Sequence, residues 1–134
     1  MTTVTTTTPS TTATSSRVRA GLALGAVVGA VNFAFIFYTG DWGPEDPPFA
    51  LVALQGLIGL VSVVIAFLAW QTASRKILRI NAGALIVNAV GVVPGVLMDG
   101  PAFIRIASAA LILGSVPAVI LMMRRDRNPV ALDD

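Results

Sequence analysis

Four long apolar runs constrain this chain more than any other feature of it. They cover residues 20–38, 49–70, 80–98 and 101–123, lengths of 19, 22, 19 and 23 residues. A helix needs roughly 20 apolar residues to cross a hydrocarbon core about 30 Å thick. Each run meets that length, and each admits only a few polar side chains. Asn32 interrupts the first, Gln55 and Ser62 the second, Asn81 and Asn88 the third, and Arg105 with two serines the fourth. Buried helices of a soluble core are usually shorter and need an amphipathic layer around them, for which this chain has no residues left. Membrane strands are excluded too, since they alternate polar with apolar over about 9–11 residues. Composition agrees: 55% of residues are hydrophobic and 12% charged, against about 25% charged in an ordinary soluble domain. The expected fold is all-α, an antiparallel bundle of four transmembrane helices.

Charge orients the bundle. Arg17 and Arg19 precede the first run; Arg75, Lys76 and Arg79 lie between the second and third; Arg124, Arg125 and Arg127 follow the fourth. The other two connections carry only acids, namely Asp41, Glu45 and Asp46 in one and Asp99 in the other. Eight of nine basic residues thus share one side, which the positive-inside rule makes cytoplasmic. The expected location is the plasma membrane of a bacterium, multi-pass, with both termini cytoplasmic. The net charge of +2 is then a topology signal, and no folded basic face exists for nucleic acid. The first run exceeds the 7–15 residues of a signal-peptide core and has no A-x-A-like site after it, so a retained span is expected.

Residues 1–16 are almost all threonine and serine and have little to bury, which predicts a disordered cytoplasmic tail. A phosphorylation or docking tail, an unconstrained extension and a start of translation near Val18 are all open readings. Residues 17–127 form the predicted membrane domain, and residues 128–134 a loose end. Phe33, Phe35, Phe37, Tyr38, Trp42 and Phe49 gather at the acidic end as an aromatic belt at headgroup depth. Ser74 is a candidate cap for the third helix, and Asp99-Gly100-Pro101 a tight turn into the fourth.

Helix faces carry the candidate sites. Gly21, Gly25 and Gly29 recur every fourth residue, and Gly91 and Gly95 continue a stripe with Asn81, Ala84 and Asn88. Small residues let helices approach closely in lipid, so these five glycines are the expected packing positions. Asn32, Gln55, Asn81 and Asn88 are the candidate polar lining. An amide in the membrane must point inward and find a partner, either to fix register or to line a path. Asn32, Gln55 and Ser115 are the candidate partners of Asn88. Arg105 sits near the edge of its span, able to snorkel outward and pair with Asp99, which gives a candidate outer-mouth anion site.

What is missing excludes much chemistry. The chain has no cysteine and no histidine, and none of its carboxylates falls inside an apolar run. Thiol chemistry, haem ligation and the usual general base are therefore absent. Proton-coupled transport normally needs an ionisable group at depth. No catalytic, metal-binding or cofactor-binding residue is predicted, and no cofactor.

The size and four-span layout resemble the small multidrug-resistance transporters, whose first-span glutamate is replaced here by Asn32 or a glycine at every comparable position. The layout also loosely resembles DoxX-like membrane proteins. Pro47-Pro48-Phe49 before the second span and Asp99-Gly100-Pro101-Ala102 before the fourth are similar to short four-span proteins of high-GC actinobacteria. That resemblance implies a membrane bundle and no particular activity. The expected function is a non-enzymatic structural or accessory subunit, with membrane lipids, another copy of itself or a larger membrane protein as partners. The alternative is a small oligomeric transporter or lipid-handling protein lined by the intramembrane amides.

Overall fold

The computed structural model of the protein describes residues 15–37, 48–97, 99 and 101–124. Four helices account for nearly all of them: α1 (Ser16–Ala34), α2 (Phe49–Thr72), α3 (Arg75–Leu97) and α4 (Ala102–Met123). A short 3-10 turn, Phe35–Phe37, extends α1. Each of the four is long and apolar enough to cross a membrane. This is the all-α, four-helix, multi-pass architecture expected from the apolar runs. The remainder of the tail, the first acidic loop with Tyr38 and Trp42, and the chain end beyond Arg124 lie outside the described residues.

Capping explains where the helices start. The α1 helix begins four residues before the apolar run, because the Ser15 hydroxyl accepts from the Val18 N–H at 3.4 Å. Ser15 and Ser16, placed by composition in the tail, therefore belong to the helix and its cap. The α2 and α4 helices both start after a proline, Pro48 and Pro101, held near φ −51° and ψ 135°. Each proline carbonyl receives the first helical N–H bonds, from Leu51 at 2.8 Å and from Ile104 at 2.9 Å. Pro101 thus precedes the first turn of α4 rather than lying within it.

Only Ala73 and Ser74 separate α2 from α3, so those two helices must form an antiparallel hairpin. Ala73 makes the reversal in the left-handed region, at φ 50°, and its N–H donates to the Ala69 carbonyl at 3.0 Å. That conformation costs a residue with a Cβ about 1 kcal/mol. Ser74 contributes its carbonyl to Leu78 at 3.0 Å as α3 begins.

The helices form a closed ring in which α1 touches α2 and α4, and α3 touches the same two. The core is narrow, built of Leu22, Leu85, Leu111 and Met122 among alanines such as Ala66, Ala69 and Ala118. The bulky side chains point the other way. Leu51, Leu57, Phe67, Val90, Leu97, Ile106 and Leu113 are all more than half exposed. Between 22% and 33% of the most apolar window of each helix is buried. An apolar surface of that extent does not persist in water, and lipid is the solvent that suits it. Pro94 and Pro117 lie on outward faces, and both helices run through them.

Candidate functional site

The candidate site begins with a helix crossing. A methyl group at Gly29 would lie 2.6 Å from the Gly59 carbonyl oxygen, and one at Gly59 equally close to the Gly29 carbonyl. Only two glycines permit this approach of α1 and α2. One turn further along α1, Asn32 is brought against the α2 backbone.

Three amides converge there. The Asn32 side-chain NH2 donates to the backbone carbonyl of Gln55 at 2.9 Å and to the side-chain oxygen of Asn88. The Gln55 amide donates to the backbone carbonyl of Asn88 at 2.8 Å. Gly91 makes room for it: a Cβ there would collide with the Gln55 amide. Gly91 is therefore a notch for a side chain, in addition to one of the small residues of its helix face. The three residues tie α1, α2 and α3 together at one level. Asn32 is 4% exposed and Asn88 0%, whereas Gln55 is only partly buried.

Asn81 is not part of this cluster. It lies two turns nearer the basic end, roughly 10 Å along α3 from Asn88. Its NH2 points to the Met122 sulfur at 3.5 Å, and its oxygen has no partner. The four candidate lining residues thus separate into a group of three and one alone. Ser115, at the α4 position facing Asn88, instead donates back to the Leu111 carbonyl at 2.7 Å.

Three buried polar atoms are left without a hydrogen bond among the described residues: Asn88 Nδ2, Asn81 Oδ1 and Ser62 Oγ. The spacing of Ser62 carries the signal for it, seven residues from Gln55 and hence on nearly the same face of α2. An orphaned buried hydroxyl typically costs about 1–3 kcal/mol. Ser62→Ala removes that cost with almost no change in shape. We expect it to raise unfolding stability by about 1 kcal/mol in detergent, measured by denaturant titration; a comparable loss would mean that the hydroxyl has a partner.

The packing glycines are used inside the bundle. Gly21 faces Ala118, Leu121 and Met122 of α4, Gly25 faces Leu85 of α3, and Gly95 faces Ser108 of α4. Gly83 differs. Among the described residues, nothing lies within 4 Å of where its Cβ would stand.

Asp99 and Arg105 are both exposed, and among the described residues they form no ion pair with each other. Beside them an open apolar groove of about 270 Å³ is lined by Val31, Ala34, Phe35, Phe37 and Phe103. The Phe35 and Phe103 rings stand 5.8 Å apart, and Phe33 meets Phe37 edge to face at 5.4 Å. At the basic end the Arg19 guanidinium lies 5.9 Å from the Trp70 ring centroid.

Chemically, the interior offers neutral amides and hydroxyls. Such groups hydrogen-bond and fix register but do not exchange protons near neutral pH. No group of three His, Cys, Asp or Glu side chains that could hold a metal occurs among the described residues. No protein-family model, curated protein or solved structure matches the chain.

Proposed function

We propose that this chain is a non-enzymatic structural or accessory subunit of a bacterial plasma membrane, with both ends on the cytoplasmic side. One observation carries the reading. Asn32, Gln55 and Asn88 hydrogen-bond to one another and to backbone carbonyls across three helices, with Asn32 and Asn88 buried and Gln55 partly buried. Polar side chains used this way specify how helices assemble; a substrate path would need them turned toward a wet cavity.

The lateral surface supports the same reading. Gly83 lowers helix propensity and, among the described residues, nothing lies within 4 Å of its Cβ position, which leaves it open to a neighbouring helix. It shares an outward face of α3 with Ile80, Val87 and Val90, at spacings of three and four residues. A shallow face of that kind admits a neighbouring helix closely.

The orphaned atoms favour a second reading, a small transporter or lipid-handling protein. Asn81 Oδ1 and Asn88 Nδ2 lie along one face of α3 and are free to accept and donate.

Native mass spectrometry from nanodiscs tests both. The expected result is a complex of fixed stoichiometry, with another copy or a larger membrane protein, that Gly83→Leu dissociates while the monomer stays folded. A lipid-free monomer would count against both readings. A complex indifferent to Gly83→Leu would remove the α3 face from the first.

A further inference from the structure

The charges at the helix starts are arranged against the helices' own electrostatics. The positive end of a helix dipole favours acids in the first turn and disfavours cations. Neither α1 nor α3 has an acid in its first turn. Arg17 and Arg19 occupy the start of α1, and Arg75, Lys76 and Arg79 the start of α3. On α3 the arrangement is worse still. Arg75 and Arg79 are four apart and Lys76 and Arg79 three apart, so like charges are neighbours on the helix surface.

A fourth cation joins them. Asn81 of α3 reaches Met122 of α4, which sets the antiparallel register of the pair. Two residues further toward this end on each helix, Arg79 and Arg124 therefore stand at the same depth. All four side chains, Arg75, Lys76, Arg79 and Arg124, are exposed. Among the described residues no ion pair engages any of them, and Asp99, the one described carboxylate, is at the opposite end of the bundle.

We propose that this basic end of α3 and α4 binds the phosphate of an anionic glycerophospholipid headgroup. Four cations within about 6 Å of depth, at the edge of an apolar surface, match a phosphodiester attached to acyl chains. The chains lie along the lipid-facing Leu and Val side chains while the phosphate sits among the cations. Guanidinium groups add paired donors in the geometry that phosphate oxygens accept. This inference is independent of the accessory reading, because it concerns lipid alone.

The test uses the full chain in nanodiscs of phosphatidylcholine mixed with phosphatidylglycerol, read by native mass spectrometry of retained lipid. We expect retained phosphatidylglycerol in excess of its share in the bilayer, falling as salt is raised. Each basic residue near an anionic surface contributes about fivefold in binding. The triple variant R75Q/K76Q/R79Q should therefore lose about 100-fold in phosphatidylglycerol affinity. These side chains are exposed, so circular dichroism should show the variant helical and folded. If it does not fold, the salt dependence in the wild-type protein decides the matter alone. Equal retention of the two lipids by the wild type would overturn the proposal, as would an unchanged preference in a folded variant. Displacement of phosphatidylglycerol by millimolar inorganic phosphate would also overturn it, by marking a site for the free ion. Partner binding in pure phosphatidylcholine nanodiscs should be unaffected by the triple substitution, so a failure here is distinguishable from a failure of the accessory reading.

Discussion

Gly29→Leu is expected to disrupt the bundle more than any other single substitution considered for this protein. The first atom of the new side chain would already lie 2.6 Å from the Gly59 carbonyl oxygen. That contact is with backbone, so no rotamer change relieves it, and the reciprocal contact at Gly59 prevents a small sideways shift of α2. Val63 and Ser62 close the remaining space, with side-chain atoms 3.1 and 3.4 Å from the same point. The helices must move apart, which costs about 2–3 kcal/mol for overpacking. Separation also pulls Asn32 away from the Gln55 carbonyl, adding about 0.6 kcal/mol. Gly83→Leu is the matched control, since its side chain enters open space; it should stabilise the bundle by up to about 1 kcal/mol, through helix propensity alone. Tryptophan fluorescence, from Trp42 and Trp70, during unfolding in mixed micelles would report both. If the two variants are equally stable, α1 and α2 do not cross at Gly29.

The four helices and the α2–α3 and α3–α4 hairpins are legible in the sequence because lipid demands long apolar runs and because the connections are short. The destinations of the glycines are less so. Gly21, Gly25 and Gly29 look like one seam for one partner, yet they face α4, α3 and α2 in turn. The cause is geometric: each step of four residues advances the direction by about 40°, so the ladder winds around α1. Gly91 is similarly misleading, since its neighbour is a side chain, the Gln55 amide, in place of a helix backbone.

The amide cluster was half visible. Helical face puts Asn81 and Asn88 together, but depth separates them. Counting 1.5 Å per residue from the basic end places Asn32, Gln55 and Asn88 roughly 20–25 Å along their helices and Asn81 roughly 9 Å. That arithmetic needs the helix ends at Ser16, Thr72 and Arg75, which lie outside the apolar runs, and with them it sorts the three that meet from the one that does not. The Arg17–Arg79 charges illustrate the opposite limit. Their side of the membrane follows from sequence, and the candidate cap Ser74 already places α3's first turn among them, whereas the start of α1 at Ser16, before its apolar run, comes from the structure.

Substituting both members of the Asn32–Asn88 pair should cost less than the sum of the single changes. Asn32→Ala deletes two hydrogen bonds and leaves the whole Asn88 side-chain amide unpartnered, because Asn88 Nδ2 has no partner even in the intact protein. A loss of about 2 kcal/mol is expected. Asn88→Ala is milder, about 1 kcal/mol, for two reasons. Asn32 keeps its bond to the Gln55 carbonyl, and the substitution removes an orphaned donor together with the acceptor. The Gln55 bond to the Asn88 backbone is untouched by either change. In the double variant no amide is stranded, so the coupling recovered should be about 0.6 kcal/mol and at most about 1.7. The order of the single variants is the sharper result, because it follows from which residue bridges two helices. Equal single losses that simply add, within about 0.3 kcal/mol, would mean that the two side chains do not meet. The polar interior would then be available to line a path, and the transport reading would regain the support that the Asn32–Asn88 contact takes from it.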